Sequence, residues 1–525
     1  MFKKLISLML ASVMLLLVIL SSVSCDQLMQ ELLEEPVETE GAEETADDTI
    51  EYTESEEDTA DDTIEYTESE EETTKKKNEI ATDEKVTDVI DESNVEAYDG
   101  KPVTITFYHT MGSSLRFVLD KYIAEFNKIY PNITVEHTQV GGYDDIRDQI
   151  KTELTVGRQP NLAFCYPEHV ALYNIANSVV KLNDYIDSDL TVTTADGNTV
   201  AFGLTEAEIA DFISAFYAEG ATYDNDGTMY TLPMSKSTEV LYYNKTFFEE
   251  YGLAVPTTWD EMEQLCSFIK QIDPNCNPLG YDSDSNWFIT LTAQFYTPYT
   301  SLEKGNNFQF DHEVNKNFVK LLREWYQNGY VLTQNTGGDY ASSWFTNTKN
   351  SGRKCYMAIS SSSSAIHHRI DGYEVGIAPI PQVNPEDPKA ISKGPSLCMF
   401  DTGNSQEAAA TWLFMKFLAT NTEFQAEYAM ASGYMPTVKS ATETDMYQSY
   451  IRSADGYQNI QALAARVALE ETDYFFTLPS FNGMSVAADQ VGYIMEMCLR
   501  AQVPDIDAYI DEIFKAAIDE CNWNI

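Results

Sequence analysis

Val103-Thr-Ile-Thr-Phe-Tyr108, Ile133-Thr-Val-Glu-His137 and Asn161-Leu-Ala-Phe-Cys165 are short runs rich in β-branched, aromatic and other apolar residues. Such runs suit a pleated, largely buried surface and predict three strands. Between the first two, Leu115, Val118, Leu119, Tyr122, Ile123 and Phe126 recur at helical spacing, with Ser113 and Ser114 as caps and Pro131 beyond the end. Residues 143–156 predict a second helix, ahead of the third strand. Strand, helix, strand, helix, strand implies an α/β layer on a parallel sheet. Ligands of such sheets sit beyond the carboxyl ends of the strands. That directs attention to Tyr108–Gly112 and Tyr166–Glu168, which leave the first and third strands.

Towards the carboxyl terminus, Met229-Tyr-Thr-Leu-Pro233 and Glu239–Asn244 read as strands, and Trp259 to about Ile272 as a helix. Residues 313–328 predict another helix, Lys354–Ile359 an extended run, and Val375–Pro381 a strand entering a Pro-rich stretch. The last portion is mostly helical, with Ile506, Tyr509, Ile510, Ile513, Phe514 and Ala517 on one face. No acidic or Ser/Gly-rich linker separates domains between Pro233 and Gly433. Two lobes with several crossings account for that better than domains in series.

Towards the amino terminus the chain changes character. Residues 26–99 hold 30 Asp/Glu against 4 Lys, so about half of the net charge of -51 lies there. Thr45–Asp58 recurs at Thr59–Glu72 with only the last residue changed. An acidic duplication with scarcely an apolar side chain cannot offset its chain entropy, so residues 25–99 are expected to form a disordered tether. Ahead of it, Lys3 and Lys4 precede the apolar run Leu5–Leu20, then Ser21-Ser-Val-Ser-Cys25. A basic start, a short apolar core and small residues make an export signal over residues 1–24. The order resembles a bacterial lipoprotein signal, in which the Cys is lipidated and becomes the mature amino terminus. Cys25 is then the lipidated residue, and the expected location is the extracytoplasmic face of the cell membrane, held by a lipid anchor. Phosphates demand Lys and Arg in quantity, so such an acidic chain has no nucleic-acid partner.

Five segments, in one order across residues 100–525, resemble the extracellular solute-binding proteins of ABC importers, in the maltose-binding and glycerol-3-phosphate-binding group. They are Gly142–Ile150 with Gly157-Arg-Gln-Pro-Asn161, Tyr230–Pro233 with Thr238-Glu-Val-Leu-Tyr-Tyr-Asn-Lys245, Tyr251-Gly-Leu253 with Pro256-Thr-Thr-Trp259, Val375-Gly-Ile-Ala-Pro-Ile-Pro381 and Ser432-Gly-Tyr-Met-Pro-Thr-Val438. The resemblance implies the α/β, two-lobed periplasmic-binding-protein fold of type II, with three hinge crossings and a ligand in the cleft. The amino-terminal lobe would take residues 100–236 and 376–433, the other lobe 237–375 and 434–525. The crossings would fall near Met234–Thr238, Val375–Ala378 and Gly433–Pro436. The family's cleft positions would fall on Tyr166, Glu168, Ser237, Trp287, Ser361, Ser362, Gly394, Ser396 and Tyr434. The implied partners are a small-molecule carbohydrate and the membrane permease subunits of an ABC importer, and the chain is expected to be a monomer.

A sugar presents apolar faces and a rim of hydroxyls, so its cleft needs flat rings beside hydrogen-bonding side chains. Tyr434 and Trp287 suit the first role and Glu168 the second. The glycerol-3-phosphate members use a cationic contact near a Gly-rich turn, and the matching stretch, Leu478–Met484, has no Arg or Lys. A neutral carbohydrate is therefore expected, with glycerol-3-phosphate or a glycerophosphodiester as the alternative. A secreted glycosidase is the alternative from another class, since a carboxylate pair is always available among 84 acidic residues. No His-Glu-x-x-His, Gly-x-Ser-x-Gly or P-loop motif occurs, so neither a metal nor a cofactor is expected. Asp224-Asn-Asp-Gly227 lacks the outer ligands of a calcium loop and reads as a turn. His367-His368 reads as polar surface. Cys165, Cys355 and Cys398 read as buried small hydrophobes, while Cys266 and Cys276 are near enough in sequence to pair.

Overall fold

The computed structural model describes residues 95–174, 177–347 and 352–524. The expected signal peptide, Cys25 and the acidic repeats lie outside these residues. Order begins earlier than the expected boundary at residue 100. Tyr98 is buried, meets Tyr130 edge to face at 6.5 Å, and donates its hydroxyl hydrogen to the Lys101 carbonyl at 2.5 Å. Residues 95–99 thus belong to the folded part.

Two sheets carry the structure. β1 (Val103–His109) pairs in parallel with β2 (Ile133–Gln139), Val103 opposite Ile133, and with β3 (Leu162–Cys165) on its other side. All four residues of β3 are buried, as an apolar run flanked by strands requires. The Ser113–Ile129 helix buries Val118, Leu119, Tyr122 and Phe126 and stops at Tyr130, just before Pro131. A small hairpin, β4 (Thr191–Thr193) and β5 (Thr199–Ala201), stands apart. β6 (Thr231–Pro233) completes the first sheet through β13 (Ser396–Met399), in the order β2-β1-β3-β13-β6. The second sheet, in the order β11-β7-β10-β8-β9, contains β7 (Ser237–Asn244), β8 (Leu279–Tyr281), β9 (Val331–Thr333), β10 (Met357–Ser361) and β11 (Val375–Pro379). β12 (Ser392–Lys393) pairs with the start of β7. Each sheet has its own apolar core. The first is built around Phe107, Phe126, Phe164, Trp412 and Phe414, and the second around Trp259, Tyr281, Trp287 and Trp325.

The chain passes from the first sheet to the second between Pro233 and Ser237. The other two crossings differ from expectation. β11 pairs antiparallel with β7, Val375 opposite Asn244, so residues 376–393 stay with the second lobe. The chain returns at Gly394-Pro395, immediately before β13. Met435 bridges Lys236, which lays the third hinge segment beside the first. Past Met435, Val438 bridges Phe212, and Ala441 and Tyr447 are buried in the first core. The chain joins the second lobe at Gly456, whose carbonyl accepts from the Val375 N–H at 3.3 Å, and continues into the Ile460–Glu470 helix packed on β7 and β11. The boundaries at 376 and 434 therefore move to about 394 and the 450s.

Candidate functional site

The polar ends of the second sheet build one wall of a cleft. β10 lies between β7 and β8, with Ser361 opposite Glu239 and Ile359 opposite Tyr281. The strand ends thus bring Glu239, Ser360, Ser361 and Asp282 to one rim. Ser283 caps the Asp284–Gln294 helix by accepting from the Asn286 N–H at 3.2 Å, which aims the helix start at the same place. The result is a cavity of about 740 Å³, lined as well by Lys393 of β12, beside β7, and by Tyr166, which follows β3 of the first sheet. An adjoining cavity of about 50 Å³ is lined by Glu168, Glu219 and Gly394 and shares Tyr166 and Lys393.

The chemistry of the larger cavity is dominated by hydroxyls and carboxylates. Glu239 accepts from the Tyr281 hydroxyl at 2.5 Å and from the Asn286 amide at 3.2 Å. Burial lifts its carboxyl to about 7, against the opposing pull of those two hydrogen bonds. Asp282 accepts from the Ser360 hydroxyl at 2.5 Å and the Ala341 N–H at 2.6 Å, and burial raises its pKa also. Ser361 donates to Ser237 at 3.1 Å, a link across β10 and β7. Tyr166 stacks obliquely on Tyr143, ring centres 4.5 Å apart, and Lys393 sits 3.8 Å from Glu168.

Of the expected site residues, Tyr166, Ser237 and Ser361 line the main cavity, and Glu168 and Gly394 line its neighbour. Tyr434 is half-buried, its phenol beside Tyr143 and Ser363. Ser362 is buried and accepts from the Thr238 N–H at 3.3 Å, so it fastens the hinge rather than facing the cleft. Ser396 is buried too, accepting from the Lys236 ammonium at 3.1 Å and donating to Glu219 at 3.3 Å. Trp287 is the clear correction. It is fully buried, stacked on Tyr281 at 4.4 Å and 12°, with Trp259 and Trp325 around it. Successive helix residues point about 100° apart, so a helix that presents Asn286 to the cleft turns Trp287 into the core. His368 is another correction: it is buried and stacked on Tyr242 at 3.9 Å, and burial holds its pKa near 3. His367, its exposed neighbour, lines the cavity. Cys266 and Cys276 are buried free thiols. Asp224 accepts from the N–H groups of Asp226 and Thr228, which closes the expected turn.

Glu239, Asp282, Asn286 and Lys393 were not expected at the site. One signal for Glu239 was present, a carboxylate in the otherwise apolar run Val240-Leu-Tyr242 just after a crossing. Asp282 carried none, because it follows a three-residue strand placed only by long-range pairing.

The family model for the bacterial extracellular solute-binding proteins matches residues 121–454, more than half of the chain. The chain belongs to the bacterial extracellular solute-binding proteins. Among curated relatives, the sn-glycerol-3-phosphate-binding periplasmic protein UgpB of Escherichia coli K12 is 24% identical over 373 residues, covering 67% of this chain and 78% of the relative. Among solved structures, UgpB from Mycobacterium tuberculosis in complex with glycerophosphocholine aligns with a TM-score of 0.63 at 17% identity, over 80% of this chain and 98% of that one. The sugar-binding protein MalE from Xanthomonas citri aligns equally well, at 0.63 and 16% identity with the same coverage. Both confirm the two-lobed fold. As a solute-binding protein of the ABC importers, this chain is a binding component and not an enzyme, which removes the glycosidase alternative.

Proposed function

We propose that this solute-binding protein captures a carbohydrate between its lobes and delivers it to the permease subunits of an ABC importer. The observation that carries the reading is the cavity lining. Ser237, Ser360, Ser361, Asn286, Glu239 and Asp282 offer alternating donors and acceptors, and Tyr166 offers a ring face, as a polyhydroxylated ring demands. The UgpB relatives favour a second reading, a glycerol phosphate or glycerophosphodiester. Against it, Lys393 is the one Lys or Arg lining the main cavity among the described residues, and it faces Glu168. A phosphate there would lie among carboxylates with Lys393 as its single Lys or Arg partner.

A thermal-shift panel of mono- and oligosaccharides and glycerophosphodiesters tests this. A ligand at a hundred times its Kd stabilises the folded state by about 2.7 kcal/mol, a readily measured rise in melting temperature. A rise with a sugar and none with the phosphodiesters is expected, and the reverse pattern replaces the first reading with the second.

The protein further acts as a monomer held to the membrane by a lipid on Cys25. The basic, apolar, small-residue and Cys order of residues 3–25 supports the anchor. Cys25→Ser is expected to shift the protein into the soluble fraction, and persistent lipid labelling of that variant would refute the anchor.

A further inference from the structure

Charges around the cleft pair off unevenly. Lys236, wholly buried at the first crossing, forms an ion pair with Glu219 and donates to the Gly394 carbonyl and the Ser396 hydroxyl, each at 3.1 Å. Lys393 faces Glu168. Glu239 and Asp282 are left with neutral donors alone, and neither takes part in an ion pair among the described residues. Glu239 is only 5% exposed, yet it lines the same cavity as Asp282. The two carboxylates flank the end of β10 from its two sides, one after β8 and one at the start of β7.

Each carboxylate oxygen has two acceptor sites, so the donors present leave acceptor capacity directed at the cavity. A neutral polyol can use that capacity, but it leaves two anionic groups uncompensated once the cleft excludes water. A phosphate would worsen the imbalance. A ligand cation would cancel it.

We infer that the captured carbohydrate carries a basic nitrogen, bound as an ammonium by Glu239 and Asp282. The inference rests on the carbohydrate reading and narrows it to an amino- or imino-bearing sugar. It also carries a pH signature. Glu239 faces Tyr281 and Asn286, with Asp282, Lys393 and Glu471 as the charged or titratable groups acting on it. Asp282 and Glu471 disfavour its ionisation and Lys393 favours it. With its carboxyl near 7, Glu239 is largely ionised at pH 7.5 and protonated at pH 5.5. A ligand whose amine stays protonated throughout this window should therefore bind more weakly at the lower pH, whereas a neutral sugar has no such requirement.

The test is calorimetry and thermal shift on the folded protein with a panel of amino sugars, iminosugars and aminoglycosides. Each is paired with its N-acetylated or hydroxyl counterpart, and glycerophosphodiesters are included. At pH 7.5 at least one amine should bind tenfold or more tightly than its counterpart. For an amine that is protonated at both pH values that preference should shrink at pH 5.5, and for any amine it should fall at least tenfold in Glu239→Gln, with Asp282→Asn making the same test if the first variant fails to fold. Equal binding of amine and counterpart, or a preference that survives both variants, overturns the inference while leaving the carbohydrate reading intact. Binding of glycerophosphodiesters alone, or of no panel member, overturns both.

Discussion

Glu239 and Trp287 exchange the roles that their side chains suggest. The carboxylate, at the start of an apolar strand, faces the cleft, and the indole, in a helix start beside polar residues, is walled in by Tyr281, Trp259 and Trp325. Trp287→Ala should accordingly cost about 3–5 kcal/mol of stability, the range for truncating a core aromatic, while folded molecules keep their ligand affinity within about threefold. Denaturant titration together with calorimetry on the surviving folded fraction checks both halves. An intact melting transition with lost binding would return Trp287 to the cleft. Glu471 makes a different point at this scale. It is fully buried, and burial lifts its pKa to about 8 against the weaker opposing pull of the Thr238 side chain and the Ile380 backbone beside it. The amide of Glu471→Gln cannot ionise, so that variant should outlast the parent at pH 8.5 and lose the advantage at pH 5.5 in thermal melts.

At the scale of elements, the hinge decides where the lobes begin. Gly394 has φ +146°, and a Cβ there would stand 2.3 Å from the Ser235 carbonyl oxygen and 2.9 Å from Lys236 Cα. Both obstacles are backbone of the first crossing, so two hinge segments run too close for any side chain. Gly394→Ala should destabilise by more than about 1 kcal/mol and displace the β12–β13 turn. Gly403→Ala is the control. Its φ of +77° carries the left-handed strain, but nothing lies within 4 Å of its Cβ. Equal losses in the two variants would show that the close approach adds nothing. The amino-terminal edge behaves likewise. A chain beginning at residue 100 forfeits the buried Tyr98 ring and the Asp99 N–H to Gln406 bond at 2.8 Å. It should melt several degrees below a chain beginning at residue 92, and equal melting temperatures would show that this edge contributes nothing.

For the whole molecule, buried titratable groups of opposite sign shape stability against pH. Glu239 and Glu471 hold protons more tightly folded than unfolded, so each contributes stability that is complete below the ordinary carboxyl value near 4.5. That contribution is lost as pH rises through about 7 and about 8. His109 and His368 are buried neutral, with pKa values pushed to about 4 and about 3. Their contribution is complete above the ordinary value of 6.5 and is lost as pH falls towards those values. Between about 4.5 and 6.5 the two pairs oppose each other. Above 6.5 only the carboxyls still titrate. The ligand-free protein should therefore lose melting temperature from pH 6.5 to 8.5, and Glu471→Gln should flatten that slope. A rising profile over the same window would contradict the assignment.

What the chain could declare from its own residues was whatever depends on neighbours in sequence. β-branched runs, helical spacing, the proline at 131 and the ordered motifs from Gly142 to Val438 all express local preferences, and they led to the α/β layer and to the family. Tyr166 was indicated by the end of a recognisable strand, and Ser237 and Ser361 only by the family resemblance; all three line the cavity. Tertiary structure alone decided the rest. β11 belongs to the second sheet because Val375 finds Asn244, 131 residues away, and only that pairing carries the crossing to Gly394. Asp282 reaches the cleft because β8, three residues long, is held between β9 and β10. Whether a side chain in a helix start meets ligand or core is a matter of rotation, about 100° per residue, set by what the whole helix packs against. Sequence spacing specifies the period of that rotation, and only the packing of one element on another specifies its phase.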